Sequence, residues 1–245
     1  MTGIRITVAG TAGSAPREAG AQMMVWPDRT EGTIGGGALE WDAMAEARRM
    51  LAEGRTQLRA TIPLGPALGQ CCGGSVTLVW EVAEALDEQP RRPLWIYGAG
   101  HVGRAIVHVM QPLPDFAITW IDVAVDRFPQ TDVTTLVAVD PAQVVRHAPD
   151  DAAHLILTYS HALDLALCHA ILSRPFASAG LIGSATKWAR FRKRLAELGH
   201  PPAQIARIAC PIGDTSLGKH PAALALGVAT AMIARQTSQS KESRA

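Results

Sequence analysis

Leu94-Trp95-Ile96-Tyr97-Gly98-Ala99-Gly100-His101-Val102-Gly103 is an apolar run followed at once by G-x-G-x-x-G. The run is short and continuous, as a buried strand is, and a helical pattern opens at His101. In that context each glycine has its own task. Gly98 permits the tight turn, Gly100 lets a pyrophosphate approach the backbone, and Gly103 lets the helix pack on the strand. The helix N-terminus offers free N–H groups and the positive end of its dipole to a phosphate. Asp122 ends the next strand, 24 residues past Gly98, where a carboxylate bonds ribose hydroxyls. Gly98, Gly100, Gly103 and Asp122 are the candidate nucleotide-binding residues.

Outward from this loop the pattern alternates. Strands are expected at Leu94 to Tyr97, Ile118 to Asp122, Thr135 to Val139, Leu155 to Thr158 and Ala179 to Ile182. Helices are expected at His101 to Met110, Pro141 to His147, His161 to Leu172, Thr186 to Leu198 and Pro221 to Arg235. Short apolar strands separated by helices imply a doubly wound parallel sheet covered on both faces, a Rossmann-like domain over residues 94–236. A polar stretch, 237–245, reads as a disordered tail. Ser160, His161 and Asp164 follow a strand end, where ligands bind in such sheets. The plain reading is that Ser160 or His161 caps the helix.

Ahead of the charged segment 84–93, which carries two prolines and reads as a linker, the pattern is different. Strands at Ile4 to Ala9, Ala21 to Trp26, Leu58 to Leu64 and Ser75 to Val82 surround one helix that Gly54 stops. Residues 1–83 therefore form a small α+β domain. Three of its loops are dense in residues that turns alone do not require: Gly13 to Arg17, Gly32 to Gly37, and Leu64 to Gly74. Successive glycines before a helix, Gly35-Gly36-Gly37, make a concave set of N–H donors that suits an anion. Arg17 can grip a phosphate with two parallel hydrogen bonds. Cys72 stands between Cys71 and two glycines whose N–H groups favour its thiolate. A thiolate beside an anion cradle suits a soft metal on a phosphorylated organic ligand. Set against this, glycines serve sharp turns and a buried cysteine is usually a small hydrophobe.

The 245 residues are 48% hydrophobic and 18% charged, with a net charge of +1. Such a balance gives no broad field to draw nucleic acid or an anionic membrane. The N-terminus lacks the pattern of a signal peptide, and the Ala-rich stretch 222–234 is too short to span a bilayer. The expectation is a cytoplasmic protein whose four cysteines stay reduced. Cys71 and Cys72 are adjacent and do not bridge each other without strain, and no Cys/His spacing marks a zinc site.

Seven segments, in order along nearly the whole chain, resemble the xanthine dehydrogenase accessory proteins, the XdhC/CoxI family. They are GSAPREAGAQMMV (13–25), GTIGGGALE (32–40), LGPALGQCCGG (64–74), WIYGAGHVGRAI (95–106), YSHALDLALC (159–168), GLIGSATKWARF (180–191), and CPIG (210–213) with GKHPAALALGVA (218–229). The resemblance implies an accessory chaperone rather than an enzyme. It implies binding of molybdenum cofactor (molybdopterin), protection of that cofactor while a cysteine desulfurase sulfurates it, and delivery to the molybdenum subunit of xanthine dehydrogenase. It further implies that an N-terminal cysteine holds the metal, here Cys71 or Cys72. Cys72 is favoured because the family pattern reads Cys-Gly-Gly. In two places the chain departs from the family pattern. It starts almost at its first strand, where family members carry a helix, and Val-Ala-Val-Asp-Arg follows Asp122, which leaves the ribose position to Asp122 or Asp126. The apolar helix from Pro221 suggests a homo-oligomer. The rival readings are an NAD(P)- or FAD-dependent oxidoreductase using the Rossmann domain, and a docking or persulfide-relay protein that holds no cofactor.

Overall fold

Two separate sheets organise the chain. The computed structural model describes residues 2–65, 73–88 and 90–242. They divide into two compact units that meet in sequence between Glu88 and Gln89.

The first unit is an antiparallel sheet of β1 (Gly3–Ala12), β2 (Gln22–Val25), β3 (Thr30–Gly32), β4 (Gln57–Pro63) and β5 (Ser75–Ala83). The strand order is β3-β2-β1-β5-β4. Alternation sends Ile4, Ile6 and Val8 to one face, where they are fully buried. Helix α1 (Gly37–Glu53) covers that face with Leu39, Ala43, Met44, Ala47 and Met50, and Gly54 ends it in the left-handed conformation. Each fully buried Leu, Ile or Met contributes about 1.5–3 kcal/mol. The Trp80 indole N–H donates to the Ala43 carbonyl at 3.0 Å and ties sheet to helix.

The second unit holds β6 (Arg92–Tyr97), β7 (Phe116–Asp122), β8 (Thr134–Val137), β9 (Ala153–Ile156), β10 (Ser178–Leu181) and β11 (Ile208–Ala209). The order is β11-β10-β9-β6-β7-β8, and its strands pair in parallel. The connecting helices are α2 (His101–Met110), α3 (Pro141–Val144), α4 (His161–Leu172), α5 (Ala185–Glu197), α6 (Pro202–Ile205) and α7 (Pro221–Glu242). One face packs Tyr97, Ile121, Ile156 and Leu181 against Leu167, Ile171 and Leu195 of α4 and α5. The other packs Ile96, Trp120 and Leu155 against Ile106, Met110 and Val228 of α2 and α7. Both faces are apolar and covered, which is the doubly wound arrangement expected from the run of short apolar strands. Strand order reverses between β6 and β9, so the loops after these two strands border the crevice where such sheets bind ligands.

Several expectations are corrected. Arg92 and Pro93 belong to β6, not to a linker, because β6 pairs with β7 from Arg92↔Phe116 onward. β1 continues to Ala12 through a shift of register between Val8 and Gly10, so the turn begins later than Gly10. β8 ends at Val137, ahead of Val139. The helix expected over 141–147 is α3 followed by a single 3-10 turn from Val145 to His147. Backbone over 237–242 continues α7 where a disordered tail is expected, since nothing from Gln236 to Glu242 breaks a helix. The short elements β3, β11 and α6 carry too few residues to show a period. Among the described residues no helix is long and apolar enough to cross a membrane.

Candidate functional site

The loops singled out in the first unit do meet. A Cβ on Gly35 would lie 2.7 Å from the Cβ of Pro16, and one on Gly74 would lie 2.4 Å from the Ser14 carbonyl oxygen. The Gly13–Arg17 loop is thus pressed against both other glycine segments, with no room for a methyl group. Cys71 and Cys72 lie outside the described residues; in sequence Cys72 directly precedes Gly73.

The glycine nest is not open. The Glu40 carboxylate, on the first turn of α1, accepts from the Thr33 hydroxyl at 2.5 Å, the Ile34 N–H at 2.9 Å and the Gly36 N–H at 3.1 Å. Burial works against its charge, but the bonds from Thr33, Ile34, Gly36 and Gly35 outweigh it and hold the carboxyl below its ordinary range. The chain's own Glu40 thus answers the Gly36 N–H, and the Gly35 N–H donates to the Thr33 hydroxyl at 3.1 Å, so two of the three glycine donors expected to hold a ligand are engaged within the chain. Arg17 is exposed and borders a cavity of about 420 Å³ with Thr11, Gly13, Ala15, Pro16 and Glu18. Among the described residues its guanidinium makes no hydrogen bond or ion pair.

In the second unit the glycine loop has the expected shape. Gly98 has φ +118° and comes so close to the end of β9 that a Cβ would lie 2.4 Å from the Leu157 carbonyl oxygen. A Cβ on Gly103 would lie 2.0 Å from the Gly98 carbonyl oxygen, whereas one on Gly100 would meet nothing within 4 Å. The N-terminus of α2 has no side-chain cap. By contrast, Ser160 caps α4 and Ser184 caps α5. The first N–H groups of α2 are therefore available to an anion at the crevice.

Asp122 bonds within the chain. Only 3% exposed, it accepts from the Ala99 N–H at 2.5 Å and from the Val123 N–H at 2.7 Å. It also pairs with Arg127 at 2.8 Å. The Arg127 guanidinium lies 5.2 Å from the centre of the Tyr159 ring, and Tyr159 is 67% exposed. The acid thus braces the glycine loop, and most of a carboxylate's acceptor capacity is spent within the chain. Asp126 falls in a 3-10 turn, Val125–Arg127, and is exposed.

Ser160 caps α4 as expected: its hydroxyl accepts from the Leu163 N–H. Asp164 does not form a triad with Ser160 and His161. It is fully buried, accepts from the Thr158 hydroxyl at 2.7 Å and backbone N–H at 3.1 Å, and pairs with Lys187 at 2.5 Å. Among the described residues no group of three or more His, Cys, Asp or Glu side chains is placed to hold a metal. The free thiols Cys168 and Cys210 are both pushed up by burial, so they remain protonated.

The XdhC Rossmann domain model matches residues 94–232, and the XdhC and CoxI family model matches residues 2–61. The chain belongs to the XdhC family. A solved structure from Bacillus halodurans, described as a xanthine dehydrogenase, covers 95% of this XdhC-family chain and 91% of its own. It superposes with a TM-score of 0.80 at 19% identity and carries the fold. The uncharacterized protein YqeB of Escherichia coli (strain K12) is 30% identical over a 231-residue alignment that covers 88% of this chain. The chain spans 40% of that relative's length.

Two pairings of this XdhC-family chain were not read from its sequence. Glu40 in the nest had a local signal, an acid on the first turn after Thr33. The Asp164–Lys187 pair had none, because 23 residues and a whole strand separate its members.

Proposed function

We propose that this XdhC-family chain is an accessory protein of xanthine dehydrogenase maturation that carries molybdenum cofactor rather than turning over a substrate. The observation that carries this reading is the meeting of the Gly13–Arg17, Gly32–Gly37 and Gly73–Gly74 loops, with Arg17, unpaired among the described residues, at their rim and the Cys71-Cys72 pair next in sequence. In this reading Cys72 supplies a thiolate to the metal, as a soft ligand does, and Arg17 takes the pterin phosphate. Bound there, the cofactor would supply the molybdenum centre that the client enzyme uses. The chain's own part is to bind, orient and shield it. A cysteine desulfurase and the molybdenum subunit of xanthine dehydrogenase are the proposed partners.

Molybdenum and pterin content, measured after mixing with molybdenum cofactor and gel filtration, tests this. Wild type and Cys71→Ala are expected to retain stoichiometric metal, and Cys72→Ala to lose it. An empty wild type sinks the carrier reading.

The uncapped N-terminus of α2 favours a second activity, binding of a nucleotide or a nucleotide-linked cofactor at Gly98, Gly100 and Gly103. An oxidoreductase reading would require hydride transfer that survives Cys72→Ala. Asp122 weighs against an ordinary dinucleotide site, since its carboxylate is committed to Ala99, Val123 and Arg127.

A further inference from the structure

A cavity of about 390 Å³ lies at the C-terminal ends of β9 and β10, lined by His161, Ile182, Gly183, Ser184, Thr186, Lys187, Arg190 and Phe191. Its lining carries the basic groups His161, Lys187 and Arg190 and, among the described residues, no carboxylate. Lys187 is built into its wall. The side chain is 11% exposed, and its stem runs over the bare backbone of Gly183, where a Cβ would lie 2.8 Å from Lys187 Cδ. Its ammonium donates to Asp164 Oδ2 at 2.5 Å and to the Ile182 carbonyl at 2.9 Å. An ammonium has three N–H donors; two are used in these bonds, and the ammonium also lies 5.3 Å from the centre of the Phe191 ring. Asp164 does not line the cavity, and its other oxygen accepts from the Thr158 hydroxyl at 2.7 Å. Arg190, one turn along α5, is exposed and among the described residues makes no hydrogen bond or ion pair. His161 stands across from it, edge-on to Phe191 at 6.4 Å.

The α5 terminus is not the basis of this site, because Ser184 already caps the Lys187 N–H at 3.2 Å. What converges is a fixed lysine, an unpaired arginine, an imidazole and the Thr186 hydroxyl, beside apolar walls from Ile182 and Phe191. A planar guanidinium beside an ammonium suits a phosphate group, which the guanidinium can grip with two parallel hydrogen bonds. We propose that this cavity binds the phosphate group of a small phosphorylated ligand, with Arg190 as its clamp and Lys187, set by Asp164 and Gly183, as its floor. The site is separate from the N-terminus of α2 and does not depend on the carrier reading.

The test is titration of the full chain with inorganic phosphate by calorimetry, with acetate as comparison. Wild type should bind phosphate saturably and in preference to acetate. Arg190→Ala should weaken it about ten-fold, the loss of one charge-assisted pair. Arg192→Ala, on the same helix but away from the cavity, should not. Gly100→Asp, which puts a carboxylate at the N-terminus of α2, should also leave it in place. Absence of phosphate binding in wild type, equal weakening by Arg190→Ala and Arg192→Ala, or loss in Gly100→Asp with Arg190→Ala intact would each overturn the proposal. So would acetate binding as tightly as phosphate.

Discussion

Glu40 shows how one side chain redefines a loop. Read as a string, Gly35-Gly36-Gly37 is an anion cradle; folded, its Gly36 N–H already donates to Glu40 and its Gly35 N–H to Thr33. Removing the carboxylate in Glu40→Ala strips three donors of their acceptor, at a cost of about 1 kcal/mol, as for loss of a helix cap. Urea denaturation should show the lower midpoint at pH 7. The Glu40 carboxyl sits below its unfolded value. Its contribution is therefore complete above pH 4.5 and lost as pH falls through the lower folded value. Wild type and Glu40→Ala should converge only there. His154 titrates in the opposite sense of charge. It is 1% exposed, its Nδ1 lies 3.1 Å from the Tyr97 hydroxyl, and its Nε2 has no partner among the described residues. Burial, then the charge of Arg174, pushes it from 6.5 down to about 4. The unfolded chain binds the extra proton between those values, so stability should decline from pH 6.5 and level off near 4. A shift of this size corresponds to about 3 kcal/mol. Melting curves across pH 7 to 4 measure it, and His154→Gln should flatten them. An unchanged slope in the variant would mean that another group titrates.

At the scale of the element, the strand–loop–helix from Arg92 to Met110 divides its glycines by what surrounds them. Gly103 abuts the carbonyl of Gly98, and backbone gives way poorly. Gly103→Ala should cost about 3 kcal/mol by overpacking. Gly100→Ala, facing open space, should stay within about 0.5 kcal/mol of wild type. Chemical denaturation separates the two, and equal losses would refute this account of the loop. This element was legible because its signals are local: an apolar run, three glycines at fixed spacing and a helical stripe. The same holds for α1, which Gly54 ends, and for α4, which Ser160 opens. What was not legible is either very short or long-range. β3 and β11 have three and two residues and no period to read. The tail of α7 is polar yet free of breakers, so composition pointed one way and propensity the other. Lys187 and Asp164 are joined only by the fold, and no pattern of spacing in one sequence links them. Asp122 was placed correctly at the end of β7, but its carboxylate turns to the Ala99 N–H, a direction the sequence does not encode.

At the scale of the molecule, each unit closes its own hydrogen-bonded sheet and buries its own core: Ile4, Ile6, Leu39, Leu78 and Trp80 in one, and the two faces of the parallel sheet in the other. Among the described residues no strand pairing joins one sheet to the other. Residues 89–245 should therefore fold alone. The first unit, at 88 residues, buries a smaller fraction of its unfolded surface and should be the less stable of the two. The tryptophans divide evenly: Trp26, Trp41 and Trp80 in one unit, Trp95, Trp120 and Trp188 in the other. Urea titration of the whole chain, followed by fluorescence, should thus report two steps. The first should match the midpoint of an isolated 1–88 fragment and the second that of 89–245, with the steeper dependence in the larger unit, which exposes more surface. If the phosphate cavity at β9 and β10 belongs to the parallel sheet alone, 89–245 should bind phosphate as the full chain does. A single coincident transition, or an 89–245 fragment that does not fold, would show that the two cores are not independent.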